Sequence, residues 1–344
     1  MNTLRYTGKR LVLGLIVLFG ISAITFLIVR VIPSDPAAIY LGPRAKPEQI
    51  EQLTREMGLN KPLIVQYGVY LKNMIMGDWG ESLRTHRPVL EDIKSFFPVS
   101  LEIILLSLIF SGGIGLLLGV LSARYKGKWF DHLTRMISIF GVSVPSFWIG
   151  LVLQFIFFSK LGWLPINGKM SIEMEMGNPV AMITGFALID AMITGNWAAF
   201  AHMLPHYVLP VLTLSLYPIG LMTRLTRSNM LEILNADFIR LARSNGISEW
   251  KILLHYALKN VFGTILTVLG LVFSYSLLGS FFVEIIYNWT GMGSYAVKSI
   301  ISMDYPAIMG VTVLIAFVYV LTNLITDILQ AWLDPRITLE GEQN

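Results

Sequence analysis

Two histidines in this sequence have a spacing that metal sites use. His202 and His206 stand four residues apart, which places both imidazole rings on one face of a helix. Such a pair can hold a transition-metal ion when further ligands are nearby. Pro205 lies between the two, and no third ligand residue lies near them in the sequence. We therefore expect a pair of histidines at the start of a helix and no metal site.

The sequence offers no complete set of residues for catalysis. The stretch GVSVPSFW contains a serine that an intramembrane protease could use, but the histidines, at positions 86, 132, 202, 206 and 255, fall outside or at the ends of the long apolar runs. No Gly-Lys pair is followed by Ser or Thr, so the Walker A loop that holds the phosphates of ATP is missing. The chain has no cysteine, which excludes thiolate chemistry. We expect no catalytic residue, no bound cofactor and no enzyme activity in this chain.

Three acidic residues fall next to long apolar runs: Glu102, Glu284 and Asp327. Acids within a membrane are costly and commonly mark proton or ion pathways. These three stand at the ends of the runs, so we expect them to reach the interface or to pair with a cation rather than to carry protons. An ion-coupled secondary transporter would also show an inverted repeat, and none is visible. That function is the weaker alternative.

The composition is that of a membrane protein. Of the 344 residues, 54% are hydrophobic and 14% are charged, whereas a soluble domain has about 25% charged residues. A transmembrane helix needs about 20 apolar residues, and six runs free of Asp, Glu, Lys and Arg approach or exceed that length. The shorter run 176–189 predicts a re-entrant or interfacial helix. The sequence therefore predicts an all-α polytopic membrane protein with six spans, at 11–29, 103–123, 136–159, 204–223, 261–283 and 305–326.

The distribution of Lys and Arg predicts the orientation. Basic residues outnumber acidic ones in 1–10, 122–135 and 223–260, whereas the two nearly balance in the segments between the other span ends. Because short cytoplasmic loops carry the positive excess, both termini are expected in the cytoplasm. The net charge of +4 then requires no nucleic acid. The first apolar run follows three basic residues and lacks a cleavage site, which predicts a retained signal anchor.

We divide the chain into a signal-anchor helix at 1–32, a helical extracytoplasmic cap at 33–97 and a transmembrane core at 98–344. In the cap, Pro47 and Pro62 can each begin a helix. The first helix would carry Ile50, Leu53 and Met57 on one face and stop at Gly58, and the second would carry Leu63, Tyr67, Tyr70, Leu71 and Met74. The same pattern fits amphipathic helices that lie on the lipid surface.

Small residues and prolines shape the predicted spans. The stretch SGGIGLLLG lets neighbouring helices approach closely. Pro145 interrupts the third span, and three further prolines lie in the fourth. Bent helices are tolerated in lipid where protein or a water-filled path takes up the freed backbone groups. These features favour a transport pathway, although purely structural bundles also have them.

The stretch ADFIRLARSNGISEWKILLHYALKN, within a cytoplasmic loop at 228–260, is polar in an otherwise apolar chain. A short helix from Ala236 would place Phe238, Leu241 and Ala242 on one face, and Asn245-Gly246 supplies a left-handed turn that ends it. Ser248 can cap a second helix, and Ile247 and Ile252 are spaced as a hydrophobic staple. The expected object is a short helix hinged at Gly246 and joined to the fifth span. An interfacial connector whose arginines touch lipid phosphates fits the same pattern.

This stretch resembles the EAA coupling loop of ABC importer permeases, with Ala242 and Gly246 at the Ala-x-x-x-Gly positions. Within that family it is most similar to the dipeptide, oligopeptide and nickel branch, in the run DFIRLARSNG. The initial Glu-Ala-Ala of the general signature is replaced here by Arg240, Leu241 and Ala242. Seven further segments follow the order of the family: IPSDPAAIYLG, PEQIEQLTREMGLNKPLIVQY, GDWGESLRTHRPV, VSVPSFWIGLVLQF, LTRSNMLEIL, GMGSYAVKSIISMDYPAIMG and LDPRI.

The resemblance implies a permease subunit of an ATP-driven importer in a bacterial or archaeal cytoplasmic membrane. Its implied partners are a second homologous permease, two cytoplasmic ATPase subunits that bind ATP and magnesium, and an extracytoplasmic solute-binding protein. The implied cargo is a di- or oligopeptide, with nickel complexes or oligosaccharides as alternatives. The residues implied to couple to the ATPases are Asp237, Arg240, Ala242, Arg243, Gly246, Ser248 and Glu249.

Contacts with the transported solute are less well defined by the sequence. Polar groups within spans mostly serve helix packing, because Ser and Thr commonly bond back to their own helix. From the polar and aromatic residues of the predicted spans we select five candidates for lining a pathway: Ser143, Phe147, Trp148, Tyr217 and Ser276.

Overall fold

The computed structural model describes residues 3–31, 36–42, 44–56 and 58–333. It is 79% helical, and in the described residues the only β pairing is one bridge between Glu81 and Pro88. The predicted all-α class is confirmed. Met57 and most of the LDPRI segment lie outside the described residues. The helices are α1 (Thr3–Val31), α2 (Pro36–Leu41), α3 (Pro47–Glu56), α4 (Leu63–Ile75), α5 (Val89–Arg124), α6 (Trp129–Ser143), α7 (Ser146–Leu153, continued by π-helical turns at Gln154–Lys160), α8 (Ile172–Gly177), α9 (Ala187–Ile193), α10 (Trp197–Leu234), α11 (Asp237–Ser244), α12 (Glu249–Lys251), α13 (Leu258–Ile286, joined to α12 by π-helical turns at Ile252–Ala257), α14 (Met292–Ile301) and α15 (Tyr305–Leu333).

Five of the described helices are long and apolar enough to cross a membrane, and a bent pair adds a sixth when it is counted as one span. The pair is α6 with α7 and its continuation, and the chain bends there by 106°. Pro145 causes the break, because it forces the preceding Val144 into an extended conformation (φ −91°, ψ 130°). Five of the six predicted spans are thus confirmed as long helices, and the third coincides with the bent pair. The five unbroken helices are Gly8–Arg30, Val89–Arg124, Trp197–Leu234, Glu249–Ile286 and Tyr305–Gln330.

Helix α10 lies at the centre of the bundle and packs most extensively against α5. Glycines of the SGGIGLLLG stretch permit this approach. A Cβ atom added at Gly119 would lie 2.5 Å from the Cβ of Thr226 on α10, which is closer than real Cβ atoms come. On the other side of α10, a Cβ at Gly220 would lie 2.6 Å from the carbonyl oxygen of Ser138 on α6. The predicted close packing of small residues therefore occurs, between α5, α6 and α10.

The segment 176–189 forms no single helix, so that prediction is wrong in part. Two short helices, α8 and α9, flank an irregular stretch instead. Pro179 cannot donate a backbone hydrogen bond, and Gly185 has a left-handed conformation (φ +85°), so neither continues a helix. The apolar run is therefore folded back on itself between α8 and α9.

The two prolines of the predicted cap begin helices as expected, since α3 starts at Pro47 and α4 follows Pro62. Gly58, with φ +65°, lies in the turn between them. Tyr67 of α4 is buried, and its hydroxyl lies 2.9 Å from Oγ of Ser22 and 3.2 Å from the carbonyl oxygen of Phe19. Both partners belong to α1. Helix α4 therefore packs against the first candidate span, and the extracytoplasmic cap stays a prediction.

The bundle has two ends, which we name after the short helices found there. The α11 end includes the last residue of α5, the start of α6 and α11 itself. The α14 end includes the start of α5, the last turns of α13 and α14 itself. The two termini of each long helix thus lie at opposite ends.

Candidate functional site

The left-handed turn predicted after α11 is present and is fully hydrogen-bonded. Gly246 has φ +74°, its N–H donates to the carbonyl of Arg243 (3.0 Å), and the N–H of Ile247 donates to the carbonyl of Ala242 (3.2 Å). These two bonds form the Schellman motif, which satisfies carbonyls left free at a helix end. Gly246 therefore caps α11, and the hinge at this position stays a prediction.

The buried face of α11 differs from the predicted one. Ile239 and Ala242 are buried, at 0% and 5% exposure, whereas Phe238 and Leu241 are 44% and 62% exposed. The eight-residue helix is too short for its pattern to distinguish the two faces, and its packing against Ile252 and Leu253 decides the outcome. An apolar pair therefore stands exposed at the α11 end of the bundle.

One exposed ion pair joins α11 to α12, and a second lies within α11. Arg243 and Glu249 form an ion pair across the Gly246 turn, with Nε 2.8 Å from Oε1, and Arg240 pairs with Asp237 at 3.1 Å. Ser248 occupies the cap position of α12 as predicted, although its side chain makes no capping hydrogen bond. Ile247 and Ile252 join the same apolar cluster, as the staple predicted. The residues named for coupling thus form one connected segment.

Replacing Gly246 by Val is expected to lower solute uptake while the protein still reaches the membrane. No atom lies within 4 Å of the added Cβ, so the cost comes from the left-handed backbone and amounts to about 1–2 kcal/mol. Asn tolerates this conformation, so Gly246→Asn is the matched control and should retain uptake. Uptake by cells and the amount of protein in the membrane are measured together. Normal uptake by the Val variant would contradict a role for this turn.

A buried ion pair that the sequence did not reveal joins three helices at the α11 end. Asp131 of α6 accepts two hydrogen bonds from Arg227 of α10, at 2.6 and 2.9 Å. It also accepts from Ser122 of α5 (2.6 Å) and from the N–H of Gly127 (2.9 Å). The side chain of Asp131 is 2% exposed. Since Asp131 and Arg227 stand far apart in the sequence, no local spacing could have indicated the pair.

The acids at the span ends do not all behave as predicted. Asp327 forms an ion pair with Arg10 (3.2 Å), in agreement with the prediction. Glu102 instead accepts from the N–H groups of Ala187 (3.1 Å) and Leu188 (2.8 Å) and from the hydroxyl of Tyr207 (2.7 Å). Glu102 is 4% exposed, and its hydrogen bonds go to α9 and α10. Its carboxylate satisfies the first N–H groups of α9.

Glu284 makes a similar set of contacts at α14. It is 1% exposed, and it accepts from the N–H of Ser294 (2.8 Å) and from the hydroxyl of Ser100. Ser294 lies in the first turn of α14, where a negative charge is favourable. A Cβ added at Gly291 would lie 2.7 Å from Oε2 of Glu284, so only glycine fits beside it. Both buried glutamates thus fasten short helices to the long ones.

Two further buried aspartates organise the segments between the spans. Asp190 accepts hydrogen bonds from the N–H groups of Ile183, Thr184 and Gly185 (2.8–3.1 Å) and from the Thr184 hydroxyl. Burial opposes the charged form of this carboxyl, but these donors outweigh it and lower the pKa of Asp190. Asp304 accepts from the hydroxyl of Ser82, and so ties the GDWGESLRTHRPV stretch to the start of α15.

The five candidate pathway residues are only partly brought together. Tyr217 and Ser276 line one groove of about 360 Å³ between α10 and α13. Phe147 lies beside it, with its ring 6.1 Å from that of Phe282, which also lines the groove. Ser143 and Trp148 do not line it, although both are exposed.

One histidine of the pair, His206, contacts backbone carbonyl oxygens. Nδ1 of His206 lies 3.0 Å from the carbonyl oxygen of Gly168 and 3.2 Å from that of Asn167. The ring of His202 lies 5.3 Å from the ring of His206. Among the described residues, no group of three His, Cys, Asp or Glu side chains could hold a metal ion.

The chain matches two family models that together cover nearly its whole length. Residues 115–339 match the model described as binding-protein-dependent transport system inner membrane component. Residues 3–104 match the model for the N-terminal part of the same transport-system membrane component.

The relatives found by comparison are similar over almost their entire lengths. The chain is 42% identical to the probable D,D-dipeptide transport system permease protein DdpB of Escherichia coli K12, over 95% of both chains. It is 38% identical to the dipeptide transport system permease protein DppB of Alkalihalophilus pseudofirmus, over 97% of this chain and 99% of the relative. It is 36% identical to the di/tripeptide permease DppB of Pseudomonas aeruginosa, over 97% and 98%. The chain therefore belongs to the binding-protein-dependent transport system inner membrane components, and it is a multi-pass ABC-importer permease of the cytoplasmic membrane.

Proposed function

We propose that this chain is a non-catalytic permease subunit of an ATP-driven importer for di- and oligopeptides. The α11 end faces the cytoplasm, where two ATPase subunits bind ATP and magnesium and contact α11. A second homologous permease completes the membrane part, and an extracytoplasmic binding protein delivers the peptide at the α14 end. The peptide names of the relatives support the cargo, and the exposed α11 helix supports the coupling to ATPases.

The observation that carries the proposal is the pair Phe238 and Leu241. Both side chains stay exposed on a helix whose other face is packed and whose far end is capped. Large apolar side chains that are exposed together are a candidate contact site for another protein. Because α12, the π-helical turns and α13 form one continuous helix from Glu249 to Ile286, a displacement of α11 moves a transmembrane helix directly.

The groove lined by Tyr217 and Ser276 supports the second part of the proposal. Its open side is formed by α10 and α13, with Phe147 and Phe282 at its edge. We place the peptide pathway between this groove and the equivalent surface of the second permease. Alternating access then consists of two arrangements of the same helices, biased by nucleotide at one end and by the loaded binding protein at the other.

Leu241→Asp is expected to prevent co-purification of the ATPase subunits. Leu241 is 62% exposed, so a charge there costs the folded permease little, but it would have to be desolvated in an apolar contact. The measurement is the amount of ATPase subunit recovered per permease after affinity purification in mild detergent. We expect a loss of about tenfold or more, since each 1.4 kcal/mol of binding free energy is tenfold.

Met76→Asp is the matched control for Leu241→Asp. Met76 follows α4 and is 72% exposed, so the change in chemistry is the same, but it lies far from the α11 end. Recovery of the ATPase subunits should be unchanged in this variant. Equal recovery from the Leu241 variant and from the unchanged protein would overturn the docking role of α11.

The proposed function as a whole is tested by purifying the subunit from its native membrane and assaying ATPase activity. Recovery of a second permease and of ATPase subunits, with activity raised by a binding protein, supports the importer. The ligand bound to that binding protein distinguishes a peptide from a nickel complex or an oligosaccharide. A subunit that purifies alone and transports with an ion gradient would favour a secondary transporter instead.

A further inference from the structure

A second connection between the α11 segment and the bundle was not anticipated from the sequence. The guanidinium carbon of Arg124 lies 3.9 Å from the centre of the Trp250 ring, at stacking distance. Arg124 is the last residue of α5, and Trp250 lies in α12, next to the Gly246 turn. The two side chains therefore link helices that are far apart in the sequence.

The environment of this pair is half open. The ring of Trp250 is 49% exposed, whereas Nη1 of Arg124 is buried and has no hydrogen-bond partner. The charge of Arg124 therefore lies between two aromatic rings, with Trp250 at 3.9 Å and the neighbouring Tyr125 at 5.5 Å, and only the Trp250 contact joins it to another helix. A cation over an aromatic face gains strength when water is removed from it. When exposed, such a contact favours the paired arrangement over the separated one by about fivefold. When covered, it favours the paired arrangement by about thirtyfold.

We propose that Arg124 and Trp250 form a latch that couples the α11 segment to α5, and that it tightens when an ATPase subunit covers it. This inference rests on the proposed function. The continuous helix transmits motion of α11 to α13, and the latch transmits the same motion to α5. Helix α5 carries Ser100, which holds α14 through Glu284. It also carries Glu102, which holds α9 directly. Arg124 and Trp250 are positioning residues, since neither needs to touch peptide or nucleotide.

The test measures peptide transported per ATP hydrolysed by the assembled transporter in liposomes. Trp250→Ala and Arg124→Gln are each expected to lower this ratio by about fivefold or more, while ATPase subunits remain bound. The double variant should be no worse than either single variant, because both remove the same interaction. Trp250→Phe retains an aromatic face, so its ratio should be at least half that of the unchanged transporter.

Lys126→Gln is the matched control for the loss of charge. Lys126 lies two residues after Arg124 and is exposed, so the same positive charge is removed beside the latch without loss of the ring contact. Its ratio should equal that of the unchanged transporter. Should Trp250→Ala fail to accumulate, the milder Arg124→Lys, which loses the planar stack but keeps the charge, should lower the ratio about twofold.

Three results would overturn the latch. The first is an unchanged ratio in Trp250→Ala and Arg124→Gln, even if less complex is recovered, because that pattern indicates a purely structural role. The second is a double variant whose loss in the ratio is the sum of the two single losses. The third is a Trp250→Phe variant whose ratio is as low as that of Trp250→Ala. Failure of the unchanged chain to bind ATPase subunits would instead refute the proposed function, and it is read from the same purification.

Discussion

Asp131→Ala is expected to lower the free energy of unfolding of the permease by about 3 kcal/mol, the lower part of the range for breaking a buried ion pair. The change leaves Arg227, which is 21% exposed, without its carboxylate. It also removes the acceptor for Ser122 and Gly127. The residual exposure of Arg227 explains why we expect the lower part of the range. Unfolding of the detergent-solubilised subunit by increasing amounts of SDS measures the effect.

An exposed ion pair in the same chain provides the comparison for Asp131. Glu51 and Arg55 pair on α3 with 67% and 68% of their side chains exposed, so Glu51→Ala should cost less than 1 kcal/mol. Replacing both Asp131 and Arg227 by apolar residues of similar size should recover part of the loss, because no buried charge then remains unpaired. Equal stabilities of Asp131→Ala and Glu51→Ala would show that the buried pair does not hold α6 to α10.

The second large effect is expected at Glu284. Glu284→Ala leaves the N–H of Ser294 and the hydroxyl of Ser100 without their acceptor in a site that is 1% exposed. A buried donor left without its acceptor costs about 1–3 kcal/mol, so for the two donors we expect a loss of about 4 kcal/mol and a detached α14. Glu284→Gln keeps an acceptor oxygen and should cost about half as much. Folded protein in the membrane and peptide uptake are measured for both variants.

This pair of variants also distinguishes a fastening role from a proton-carrying one. A glutamine cannot carry a proton in transport, so a proton carrier would lose uptake as completely in Glu284→Gln as in Glu284→Ala. A fastening residue loses uptake in proportion to the folded protein. The same comparison applies to Glu102, which holds α9 through Ala187 and Leu188. Uptake abolished in both glutamine variants, with normal protein levels, would revive the ion-coupled alternative.

Local features of this protein were predictable from sequence, and long-range ones were not. The apolar runs located the spans, and Asn245-Gly246 located the end of α11, because length and backbone preference act within a few residues. The α9 partners of Glu102 lie 85 and 86 residues from it, and Arg227 lies 96 residues from Asp131, so no local spacing indicates these pairs. The exposure of Phe238 depends on which face of α11 packs against the π-helical turns at Ile252–Ala257. That choice belongs to tertiary packing.

Resemblance to a family predicted a coupling role for the α11 segment, whereas physical reasoning from residues alone left a lipid-bound connector equally open. The structure adds the part that resemblance did not supply: the apolar side chains of α11 that face outward. It also adds Arg124, which no pattern had singled out because its partner Trp250 lies on another helix.

The unbroken helix from Glu249 to Ile286 has a geometric consequence. Its 38 residues extend for about 57 Å at about 1.5 Å per residue. When a rigid helix of that length pivots about one end by about 5°, its other end moves by about 5 Å. A peptide gate at the far end could therefore open by rigid leverage, without any bending of the helix. Under the proposed function, the site where the ATPases act and the site where the cargo passes lie more than a membrane thickness apart.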